Sequence, residues 1–101
     1  MRAAEQTIDL ILEKSGDMNK EELLKEISLL IALSKRDKYQ LECKKFEQKY
    51  QTTFDHFEKL LHTQKNHEDY GKEGDLDDWE FAISSRKWWE KRIEEILNVS
   101  N

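Results

Sequence analysis

A chain of 101 residues is bounded to a single domain. Apolar residues make up 37% and charged residues 39%, against roughly 25% charged in ordinary domains, which excludes a large self-contained core. Net charge is −5 but uneven: Asn66 to Glu80 holds seven acids and one base, a local −6, leaving +1 elsewhere. Phosphates are repelled by such a segment, which disfavours nucleic acid there and favours a basic protein as its neighbour.

The chain has no proline and three glycines, Gly16, Gly71 and Gly74, and this composition predicts an all-α fold of three to four helices. Residues 1–15 carry Ala4, Ile8, Ile11 and Leu12 at helical spacing, and Gly16 supplies a C-terminal stop. Asn19 with Glu22 three residues on resembles a capping box, with Asp17 as a competing cap. From Lys20 to Tyr50 nothing breaks a helix, and residues 20–64 read as one long helix or as a bent pair. Thr52 or Thr53 would cap the second half of such a pair, in which Phe54, Phe57, Leu60 and Leu61 share a face.

The long central helix carries two apolar sets. Tyr39, Cys43, Phe46 and Tyr50 form a 4-3-4 seam expected in the core. Leu23, Leu24, Ile27, Leu30, Ile31 and Leu33 form a broader set, separated from the first by the polar run SKRDK at 34–38. About 30 helical residues span about 45 Å, too long for a small monomer to cover. Leu23, Ile27, Leu30 and Ile31 are therefore expected at an oligomer interface, in a homodimer or higher assembly.

Residues 65–76 read as an acidic loop, and Asp77 as the cap of a C-terminal helix over 77–98. On a helical wheel Trp79, Ala82, Ile83, Arg86, Trp89, Ile93, Ile96 and Leu97 share one face. Phe81 and Trp88, seven residues apart, project away from it and need a second place to go: a wide core, a chain partner or a protein ligand. The expected partner-binding residues are Asp75, Asp77, Asp78, Trp79, Glu80, Phe81 and Trp88.

Chemistry-bearing patterns are weak. His56, His62 and His67 lack the i, i+4 pairing of a metal site, and Glu68 to Glu80 lacks the order of a calcium loop. Adjacent Asp77 and Asp78 diverge on a helix and cannot share a reacting group. No phosphate loop and no nucleophile–base pattern is visible, so no enzymatic activity, metal or cofactor is expected. The basic run from Lys35 to Lys49 is interleaved with Asp37, Glu42 and Glu47, which argues against a nucleic-acid surface. Single Cys43 reads as a core residue in a reducing compartment. The absence of a signal peptide or a bilayer-length apolar run predicts a cytoplasmic protein.

The order of the segments KKFEQKY (44–50), FDHFEKL (54–60), GKEGDLDDWEF (71–81) and RKWWEKRIEEI (86–96) resembles small prokaryotic antitoxins encoded beside TumE-like toxins. That group has a FE-x-KYG-like step, then an S/T-x-E-x-F segment, an acidic GDD or DD loop, W-E-W/F and a leucine-rich terminal helix. The resemblance covers roughly residues 39–97, with DDWEF its most specific piece. Three departures stand out: Gln51 in place of glycine after Tyr50, a longer segment between Phe57 and Trp79, and the N-terminal helix. The resemblance implies a type II antitoxin that neutralises a toxin protein acting on RNA or nucleotides, with no catalysis of its own. Acids would lie over a basic active cleft, with Trp79, Phe81 and Trp88 as anchors. The alternatives are a structural or adaptor helical oligomer, and a nucleic-acid-binding regulator acting through residues 35–49.

Overall fold

Local signals stop the first helix and start the next two in the computed structural model, which describes residues 2–16, 19–63 and 70–98. Helix α1 spans Arg2–Lys14 and is followed by Gly16 at φ +88°, a left-handed stop that glycine takes without strain. Helix α2 spans Lys20–Tyr50. Asn19 caps it: its Oδ1 accepts from the Glu22 backbone N–H at 2.8 Å, and its amide donates to Glu22 Oε1 at 3.4 Å. The competing cap, Asp17, lies outside the described residues.

Gln51 ends α2 in the left-handed region at φ 50°. Thr53 then caps α3, Phe54–Thr63, accepting from the His56 N–H at 3.3 Å. Residues 20–63 are thus a bent pair and not one rod. Helix α4 spans Tyr70–Asn98.

The start of α4 departs from the sequence-based expectation. Residues 70–76, expected in the acidic loop, are helical, and Asp77 lies inside the helix instead of capping it. Residues 64–69 lie outside the described residues. Gly71 and Gly74 disfavour helix intrinsically. Tertiary contacts offset this: Leu76 is half-buried on the core, and Asp75 is tied to α2.

Helices α2 and α4 run antiparallel along their whole length. Lys49 meets Asp75, Phe46 stacks on Trp79, Tyr39 touches Phe81, and Ala32 shares a groove with Trp89 and Ile96. Helix α3 lies across the first half of α4. Where all three meet, Cys43, Phe57, Trp79 and Ala82 are buried together. Farther along, Ala32 and Ile93 are the only residues buried among those described, between two helices.

Side chains 3–14 of α1 are all exposed, so that helix stands off the body. The molecule measures 63 × 37 × 17 Å with a radius of gyration of 19.9 Å, against about 13 Å for a compact chain of this length. It is an extended helical structure with many exposed hydrophobic residues of the kind that partners cover. Among the described residues no helix is long and apolar enough to cross a membrane.

Candidate interaction surface on the last helix

Trp79 organises the core from α4. Phe46 of α2 stacks on it at 5.7 Å between centroids, Phe54 meets it edge-on at 5.6 Å, and Phe57 lies tilted at 5.7 Å. Tyr50 stacks on Phe57 at 4.1 Å, closing the cluster. Trp79 is 1% exposed. Expected among the partner-binding residues, it is enclosed on two sides by α2 and α3 and offers nothing to a partner.

Asp75 also turns inward. It accepts from Lys49 Nζ at 2.6 Å and from the Tyr50 hydroxyl, joining the end of α2 to the second turn of α4. The Lys49 hydrogen bond, and then that of Tyr50, hold the Asp75 carboxyl below the usual carboxylate range. Burial, then the Asp75 bond, pushes the Tyr50 phenol up. Asp75 is a fastener within the chain, its side chain 21% exposed, and does not belong to the exposed acidic surface.

What remains exposed on α4 has a regular geometry. Asp77, Phe81 and Trp88 are spaced by four and seven residues, so they share the helix face opposite Trp79. Phe81 is 62% exposed and Trp88 51% exposed. Both rings are held at one edge. Phe81 meets Tyr39 edge-on at 5.9 Å, while Trp88 meets Trp89 edge-on at 4.7 Å with the Arg92 guanidinium 4.7 Å from its centroid. Rings fixed this way would lose little side-chain freedom on being covered.

Asp78 and Glu80 lie to either side of that stripe. Asp78 lines an open groove of about 430 Å³ between α2 and α4, floored by Phe46 and Phe81 and flanked by Glu42, Lys45 and Lys49. Glu80 lies on the α3 side with Asp55, Arg86 and Lys87. The acids adjacent in sequence therefore do not form one patch; Asp77 sits with the aromatics while Asp78 and Glu80 rim them. The groove was not legible beforehand, since it needs Lys45 and Lys49 of α2 beside Phe81.

The other expected residues are placed as follows. Ile27, Leu30 and Ile31 are exposed and Leu23 half-buried, and Ile31 borders the groove shared with Trp89 and Ile96 of α4. Cys43 is buried, and burial pushes its thiol up, with the Arg86 charge opposing. Arg86 Nε lies 3.3 Å from Glu90 Oε1, an ion-pair distance, without an aligned hydrogen bond. Basic residues of α2 are partly spent on their own chain, with Arg36 on Asp37 at 2.9 Å and Lys49 on Asp75. Among the described residues no group of three or more His, Cys, Asp or Glu could hold a metal ion; His67 lies outside them. Comparison with known proteins finds no matching family model, no matching curated protein and no matching solved structure.

Proposed function

We propose that this chain is a protein-binding protein whose α4 carries the contact face, and that its partner is a basic toxin protein that it neutralises by covering a cleft. The single observation that carries the protein-binding reading is the pair Phe81 and Trp88, exposed on the outer face of α4 although each ring is already oriented by a neighbour. Aromatic side chains of this kind dominate the energetics of protein interfaces. Asp77 on the same face, with Asp78 and Glu80 at its rim, supports a basic partner, because complementary charge speeds encounter and rejects acidic competitors. A helix edge about 10 Å wide suits a cleft better than a flat surface.

The toxin as partner rests on the resemblance of residues 39–97 to antitoxins of the TumE-linked group. It is tested by expressing the protein encoded beside this chain's gene, alone and together with this chain. Growth arrest by the neighbour, relieved by the wild-type chain and not by a Phe81→Ala/Trp88→Ala chain, is the expected result. A harmless neighbour, or relief that survives the double substitution, overturns the reading.

A further inference from the structure

The exposed apolar surface on the first half of α2 is a second feature, distinct from the outer face of α4. Leu24, Ile27, Leu30 and Ile31 form one exposed aliphatic face with no charged residue among them; Leu24 and Ile31 at its edge border grooves shared with Ile96 of α4, while Ile27 and Leu30 lie beyond them. Next to it in sequence stands α1, whose Ile8, Ile11 and Leu12 share a face and are equally uncovered. We infer that a second copy of this chain covers both faces, pairing the α1 helices and the first halves of α2 into a symmetric dimer.

Composition separates this surface from the one on α4. Non-obligate partners are anchored by aromatics and arginine, whereas interfaces between permanent copies resemble a domain core cut in half. The α1 and α2 faces contain leucine and isoleucine and no aromatic residue, which is the second pattern. Area points the same way. These seven residues are each between 39% and 59% exposed. Together they offer roughly 650 Å² of apolar surface per chain, near the about 800 Å² per partner of a standard interface. Ala4, Leu23 and the stems of flanking charged residues supply the remainder. The α2 face alone offers about half of that, so α1 has to contribute.

A third consideration is stability. Six apolar residues are buried among those described, and four of them lie in the cluster around Trp79. The remaining length of the α2–α4 pair is held by Ala32 and Ile93, a thin core that a dimer would thicken from the α2 side. The dimer face contains none of Asp77, Phe81 and Trp88, which lie on the face of α4 opposite Trp79. Self-association therefore does not depend on the proposed α4 contact.

Sedimentation of the full chain tests this. The wild type is expected at twice its 12.2 kDa mass, and Leu30→Glu and Ile8→Glu, made separately, are expected each to weaken the dimer at least about thirtyfold. Both positions are solvent-exposed in the single chain, so the fold should survive. Retained helical circular dichroism and retained protection of buried Cys43 from thiol reagents check that it does. A wild-type monomer at about 100 μM overturns the inference. So does a dimer indifferent to both substitutions. A monomer whose α1 amides resist exchange would also overturn it, by assigning α1 to its own α2.

Discussion

The Tyr50 hydroxyl donates to the carboxylate of Asp75, which also receives Lys49, so one side chain of α4 closes the end of α2 across 25 residues of sequence. The contact fixes the register of the antiparallel pair at the end where α3 enters. Replacing Asp75 with Asn keeps the shape but removes the charge, and is expected to cost about 1 kcal/mol. The figure lies below the roughly 1.5–3 kcal/mol usual for bonds to a charged group because Lys49 is largely solvated.

The same contact makes stability depend on pH. Asp75 titrates below its unfolded value, so its contribution is fully present above pH about 4 and is lost as pH falls through the lowered folded value. Urea midpoints of wild type and Asp75→Asn should therefore differ at pH 6 and converge in strong acid. A difference that persists unchanged at the acid end would assign the effect to shape and not to charge.

Two tryptophans nine residues apart should respond oppositely. Trp79→Ala empties the centre of the three-helix cluster and is expected to cost about 3–5 kcal/mol, comparable with the whole stability of so small a domain. Trp88→Ala, half-exposed, should cost less than about 1 kcal/mol. Thermal melts followed by circular dichroism distinguish them.

Two backbone positions offer gains. Gly74 sits inside α4, and a Cβ there would meet nothing within 4 Å. Gly74→Ala is expected to stabilise by about 0.5–1 kcal/mol through helix propensity and a less free unfolded chain. Gln51 holds a left-handed conformation at φ 50° that costs a side-chain-bearing residue about 1 kcal/mol. Gln51→Gly relieves it, and the melting temperature should rise for each substitution. A lowered value for Gly74→Ala would mean that the first turns of α4 are not helical.

Much of the fold was legible because its punctuation is local. Gly16, Asn19 and Thr53 act through their own backbone conformation or a bond three residues away, and the Tyr39–Tyr50 seam is a single periodicity. The start of α4 was not, since two glycines and a run of charge carry the signature of a loop. What makes residues 70–76 helical is contact with α2 and the core, through Asp75 and Leu76. The site was half legible. Spacing identified Phe81 and Trp88 as a pair with no room on the apolar face. Spacing also set Trp79 on the apolar face, apart from that pair, but how fully it is enclosed depends on Phe46 and Phe57 from two other helices. Spacing could not tell Asp75 from Asp77, whose directions differ by nearly half a turn.

Phe81 and Trp88 on α4 are proposed to anchor a protein partner. The most direct measurement is the dissociation constant of the complex with the product of the neighbouring gene, for wild type, Phe81→Ala and Trp88→Ala. Each substitution is expected to weaken binding at least about thirtyfold, corresponding to about 2 kcal/mol or more, while the fold stays intact. Equal affinity for all three chains, or no complex with any of them, would contradict the account.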